Sequence, residues 1–140
     1  MPIPEEKQRN LQNLKVLITE DDPDADLLLC YFLDRTAGEI LHARTGNEAV
    51  ALCLKHPDID LVLMDIRIPE MDGYEAVRQI RKFNKTVVII AQTAFALAGE
   101  KEKSLESGCN DYISKPIREE VLLSMIDKHL KLLKQDREGE

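Results

Sequence analysis

Five short apolar runs, at 15–19, 39–43, 61–64, 87–91 and 112–114, alternate along this chain with stretches whose apolar residues recur at helical spacing. That alternation limits the fold more than any other feature. Strands separated by helices must cross over before they pair, so they lie parallel, with helices on both faces of the sheet. The runs at 61–64 (LVLM) and 87–91 (VVIIA) carry no polar residue, as strands buried on both faces require.

The helices are marked at their ends. Asp22 before Pro23 is a carboxylate cap with proline at the first helical position. Ala25, Leu28, Leu29, Phe32 and Leu33 then form one apolar face, with Gly38 as the expected stop. Thr45 starts a second helix that turns Ala49, Leu52 and Cys53 inward and closes at His56-Pro57. A loop holding Pro69 and Gly73 precedes a third helix at about 74–82. A fourth covers 100–107 up to Gly108, and a last one covers 118–134. Residues 1–13 read as a polar leader or linker, 14–134 as one domain and 135–140 as a solvated tail. A chain of 140 residues suits one domain and can bury a core without disulfides or a structural metal.

Composition excludes more than it assigns. The net charge is −7 and no Lys/Arg cluster exceeds two adjacent residues, which argues against a surface for nucleic-acid phosphates. Cys30, Cys53 and Cys109 are widely spaced, with no CxxC and no Cys/His ligand pair. They read as reduced, buried small hydrophobes, at home in a reducing cytoplasm. No apolar run approaches the ~18 residues of a membrane span, and the N-terminus lacks the apolar core of a signal peptide.

Ligands of open parallel sheets sit outside the carboxyl ends of the strands, and here those positions are loaded. Glu20, Asp21 and Asp22 follow strand one, Asp65 ends strand three, Thr93 and Ala94 follow strand four, and Lys115 follows strand five. Carboxylates crowded at one rim repel each other, so protons or a cation must compensate them. Mg²⁺, a hard ion that takes oxygen ligands, is the natural cation. With the Lys115 ammonium and the Thr93 hydroxyl, such a rim can hold a phosphoryl group while one carboxylate serves as nucleophile. A calcium loop beginning at Asp22 is excluded, because its sixth and twelfth positions are Leu27 and Leu33 rather than Gly and Glu.

Four segments, KVLITEDDPDADLLL, LVLMDIRIPEMDGYEAVRQIR, VVIIAQTAFA and GCNDYISKPI, stand in order and each at its expected strand end. Together they resemble the CheY-like receiver domains of two-component signalling, over about 14–133 of the chain. The resemblance implies a flavodoxin-like, doubly wound α/β fold with five parallel strands in the order 2-1-3-4-5 and five helices. It implies that Asp65 is the phosphoacceptor, that Asp21 binds Mg²⁺ directly, and that Glu20 does so through water. The backbone carbonyl of Arg67 would be a further ligand. Lys115 would contact the acyl phosphate, Thr93 would be the switching hydroxyl, and Tyr112 the aromatic that follows Thr93 inward. The Lys115-Pro116 bond would be cis. The family uses the first two acids after strand one, which leaves Asp22 as the helix cap; a register shifted by one residue is the alternative.

The same resemblance implies a phosphorelay role. The phosphoryl group would come from a phosphohistidine on a histidine kinase or histidine phosphotransfer domain. His42, His56 and His129 read as structural or surface residues, so the donor lies elsewhere. A downstream protein would dock on the face of helix four, strand five and helix five, with no nucleic-acid or membrane contact by this domain. Self-phosphorylation and autodephosphorylation would be its own chemistry, in the cytoplasm or on the cytoplasmic side of a membrane. IIAQTAFA and GCNDYISKPI resemble the receivers of hybrid sensor histidine kinases; a stand-alone response regulator is the alternative. Arg67 and Phe95 stand where small polar groups flank the water path in related domains, so slow loss of phosphate is expected. A Mg²⁺-dependent small-molecule phosphatase would need a second Asp at position 67. A degenerate receiver used only for binding would not need every phosphorylation residue.

Overall fold

The computed structural model describes residues 13–94 and 98–138, with side chains through residue 130. In chain order the elements are β1 (Leu14–Thr19), α1 (Pro23–Leu33), β2 (Ala37–Ala43), α2 (Gly46–Lys55) and β3 (Leu61–Asp65). They continue with α3 (Gly73–Phe83), β4 (Val88–Thr93), α4 (Glu100–Ser107), β5 (Asp111–Ser114) and α5 (Glu119–Glu138). All strand pairs are parallel and the order is β2-β1-β3-β4-β5, as the sequence led us to expect.

β3 and β4 are buried along their whole length, which is why their sequences are apolar without alternation. Successive side chains leave a strand on opposite faces, and two cores result. Leu17, Val62, Met64, Ile89 and Ala91 pack with Ala49 and Cys53 of α2 and with Ala76, Val77 and Ile80 of α3. Val16, Ile18, Leu61, Leu63, Val88 and Ile90 pack with Leu29 and Leu33 of α1 and with Leu122 and Ile126 of α5. Three helices start on side-chain caps. The oxygens of Asp22, Thr45 and Asp72 accept from the backbone N–H of Asp24, Glu48 and Glu75 at 3.1, 3.1 and 2.9 Å, which satisfies donors a helix start leaves open.

The structure corrects two boundaries. Gly38 does not stop α1. That helix ends at Leu33, and the Asp34 and Thr36 N–H groups bond back to Tyr31 and Leu33, so the chain turns without a left-handed glycine and Gly38 lies inside β2. At the other end α5 runs to Glu138 rather than stopping at Lys134, through residues read as tail. Nothing between Lys134 and Glu138 breaks a helix; the first glycine is Gly139. Of the leader, only Asn13 lies within the described residues.

Among the described residues, Thr19 and Gln92 bury polar side-chain atoms that have no hydrogen-bond partner. Gln92 of β4 is 1% exposed, yet among the described residues no group bonds either polar atom of its amide. A buried polar group without a protein partner costs about 1–3 kcal/mol. Gln92→Met, similar in shape, is therefore expected to raise stability by about 1–3 kcal/mol, read as a higher denaturant midpoint at unchanged m-value. A lower midpoint would show that the amide is satisfied in solution.

Candidate functional site

The chain leaves β1 to one side for β2 and returns to the other side for β3, which opens a crevice at the carboxyl ends of β1 and β3. The acids after β1 fall into three environments. Glu20 is buried, its N–H bonded to the Ala43 carbonyl at 3.0 Å, while Asp21 is exposed at the rim. Asp22 points away to cap α1. Asp22 is thus occupied as the cap of α1, while Glu20 and Asp21 group with Asp65.

β3 delivers Asp65, 5% exposed, into the same crevice. Its Oδ1 accepts from the Arg67 N–H at 3.0 Å and its Oδ2 from Lys115 Nζ at 2.9 Å. Lys115 also donates to Glu20 Oε2 at 3.1 Å. The lysine is aimed by its backbone: its N–H bonds the Thr93 carbonyl at 2.7 Å, and the Lys115-Pro116 bond is cis. Gly73 backs Asp65 from below. A Cβ there would lie 2.6 Å from the Asp65 carbonyl oxygen and 2.7 Å from Ile66 Cα. The glycine that reads in the sequence as loop punctuation thus lets the start of α3 close against the backbone of Asp65.

Carboxylate oxygens of Glu20, Asp21 and Asp65 lie within 4.8 Å of one another. Burial, then the Asp65 charge, push the Glu20 carboxyl up to about 7, against the pull of Lys115. Burial favours the neutral form of Lys115, but its bonds and charge contacts with Asp65 and Glu20 outweigh that and lift it above its ordinary value. Three carboxylates set against one ammonium form an all-oxygen donor set with uncompensated negative charge, which fits a hard divalent cation such as Mg²⁺.

Thr93 closes β4, 5% exposed. The pairs Ala91–Tyr112 and Thr93–Ser114 set Thr93 and Tyr112 diagonally on one face of β4 and β5. Tyr112 is half-buried, against the core that α2 and α3 share. The side chain of Arg67 is exposed, and Phe95 lies outside the described residues.

Two residues drew no attention in the sequence. The Tyr74 hydroxyl of α3 donates to Glu100 in the first turn of α4, and burial with that carboxylate pushes the phenol up to about 12. Arg81 donates to the carbonyls of Gly108 and Asn84 at 2.8 and 3.2 Å and to Asn110 Oδ1 at 2.9 Å, so it ties α3 to the turn after α4. Helical periodicity marks both positions, but apart from Asn84 their partners lie 26 to 29 residues away and no local signal names them.

The carboxylate crowding has a measurable sign. Glu20 is raised in the folded protein above its ordinary value near 4.5, so ionising it opposes folding, and stability falls as pH rises from about 4.5 to 7. Glu20→Gln removes that penalty. In metal-free buffer at pH 8 the variant is expected to be more stable than the parent by about 1–3 kcal/mol, with the difference shrinking below pH 5. A difference that does not change with pH contradicts the crowding.

The family model described as the response regulator receiver domain matches residues 16–127. The chain is 38% identical over 131 residues to hybrid signal transduction histidine kinase B of Dictyostelium discoideum, covering 83% of this chain and 7% of that protein. Among solved structures it is similar to the receiver domain of the sensor histidine kinase PA1611 of Pseudomonas aeruginosa, which has a magnesium ion coordinated in its active site cleft. That match has a TM-score of 0.76 and 32% identity, over 85% of this chain and 98% of that one. It is also similar to the receiver of the Saccharomyces cerevisiae response regulator Ssk1, solved with the histidine phosphotransfer protein Ypd1. There the TM-score is 0.76 and the identity 34%, over 83% of this chain and 88% of that one. Among the described residues, no helix is long and apolar enough to cross a membrane.

Proposed function

We propose that this chain, which belongs to the response regulator receiver domain family, takes a phosphoryl group from a phosphohistidine onto Asp65 and so resets a protein-binding surface. The observation that carries the reading is the placement of Asp65. It is a buried carboxylate at a strand end, bonded to Lys115 and grouped with Glu20 and Asp21.

A carboxylate oxygen of Asp65 attacks phosphorus in line. The P–N bond to the donor imidazole breaks, its electron pair stays on the ring nitrogen, and an acyl phosphate forms. Lys115 Nζ, already 2.9 Å from Asp65 and 3.1 Å from Glu20, turns its donors to the incoming phosphoryl oxygens. Mg²⁺, when held by Glu20, Asp21, Asp65 and the Arg67 carbonyl, neutralises charge on the phosphoryl group beside these carboxylates. The Thr93 hydroxyl bonds a phosphoryl oxygen, and Tyr112, diagonal to it, turns into the space Thr93 leaves. The surface of α4, β5 and α5 shifts with them. Leu105 and Val121 are the exposed apolar residues that α4 and α5 offer there to a downstream partner.

The donor's approach is marked as well. α1 begins just after Asp21 and exposes Leu27, Leu28 and Tyr31 at 70%, 48% and 74%. An apolar patch beside a phosphorylation cleft suits the docking of a phosphohistidine protein. Likeness to a hybrid kinase supports a place inside a relay. The chain has no second Asp at position 67 and acts as a switch rather than a turnover enzyme.

Label from a phosphohistidine donor is expected on the parent protein and absent from Asp65→Asn and from chelator-treated samples; label persisting on Asp65→Asn overturns the reading. Separately, Leu27→Asp with Tyr31→Asp is expected to slow transfer from a histidine phosphotransfer protein about tenfold or more. Phosphorylation by acetyl phosphate should keep its rate. Equal rates with the protein donor would remove α1 as the docking face.

A further inference from the structure

Away from the cleft, the fold gathers three side chains that the sequence keeps apart. Asp26 and Cys30 stand one turn apart on α1 and share a face; His42 lies on the edge strand β2. His42 Nδ1 is 2.9 Å from each Asp26 carboxylate oxygen, and Cys30 Sγ is 3.8 Å from Asp26 Oδ1. The ligating atoms of all three fall within 4.8 Å of one another. We propose that Asp26, Cys30 and His42 form a second metal site, which takes a borderline transition ion such as Zn²⁺ in preference to Mg²⁺ and leaves one position open to water.

The donor set decides the class of ion. Imidazole and thiolate favour Zn²⁺ and its transition-metal neighbours, whereas Mg²⁺ and Ca²⁺ favour oxygen alone. Around a tetrahedral ion with bonds of about 2.0–2.3 Å, ligand atoms stand roughly 3.3–3.8 Å apart. The observed 2.9 and 3.8 Å bracket that range, so side-chain torsions alone can bring the three into register.

A plain His42–Asp26 ion pair is the competing account, and a bifurcated pair also accounts for the 2.9 Å from the imidazole nitrogen to each carboxylate oxygen. What the ion pair does not require is the Cys30 thiol, which converges on the same carboxylate and completes a nitrogen, oxygen and sulfur donor set. The side chains of His42 and Asp26 are 46% and 25% exposed, so an ion can enter and a water can keep the fourth position. Bound metal would tie α1 to the sheet edge, on the helix that begins beside Asp21. The proposal concerns residues outside the phosphorylation cleft and stands whether or not Asp65 is phosphorylated.

The test titrates the full chain with Co²⁺, under a phosphine reductant and excess Mg²⁺, and follows the near-ultraviolet charge-transfer absorption of a Co²⁺–thiolate bond. One equivalent is expected to bind with that band, and Zn²⁺ should bleach it. Cys30→Ser should abolish the band, and His42→Gln, a surface change checked for folding by circular dichroism, should weaken binding about tenfold or more. Cys53→Ser, Cys109→Ser and Asp65→Asn should leave the band in place. No band in the parent, a band that survives Cys30→Ser, or unchanged affinity in folded His42→Gln overturns the proposal.

Discussion

Two buried carboxylates share one ammonium at the carboxyl edge of this sheet, with a third carboxylate beside them, and the arrangement of the protein around that edge depends on it. Lys115 comes from beyond β5, at the far side of the site from β1, and bonds both Glu20 and Asp65. Without it, two buried carboxylates would face each other in a poorly hydrated crevice, and one would be forced to hold a proton. With it, Glu20 is still raised to about 7, and the crevice keeps an all-oxygen donor set of the kind that fits a hard divalent cation. The parallel topology makes this possible: it brings residues 20, 65, 93 and 115, far apart in the chain, to one edge.

The site is joined to the rest of the molecule through two rigid routes. Thr93 and Tyr112 share a sheet face and end on the core that α2 and α3 build. α4 is held to α3 at both ends, by Tyr74 on Glu100 at its start and by Arg81 on Gly108 and Asn110 at its finish. Gly108, with φ +116°, closes that helix in a conformation other residues adopt only with strain. α4 is therefore a short helix pinned to α3 at two points.

Much of this was legible in the sequence because burial writes itself into composition. β3 and β4 are buried on both faces, so their runs are apolar throughout and their last residues, Asp65 and Thr93, stand out against them. Asp22, Thr45 and Asp72 act locally, and a cap can be read from its own few residues. Two helix ends escaped for local reasons. α1 stops at a tight turn at 34–36 rather than at Gly38, which joins β2. α5 outran its assigned end because a polar composition was taken for a tail where no helix breaker stood. Contacts distant in the chain hid the rest: Cys30 and His42, unrelated in the sequence, are set against one carboxylate, and Gly73 is needed by the backbone of Asp65 rather than by a turn.

The position of the acyl phosphate tests the central claim most directly. Borohydride reduces an aspartyl phosphate to homoserine, so peptide mapping of the protein after exposure to a phosphodonor with Mg²⁺, followed by borohydride, reports the modified residue. Homoserine at position 65 and at no other carboxylate is the expected result. Homoserine at position 21 or 22, or none despite a phosphoryl adduct on the intact protein, would contradict the assignment of Asp65.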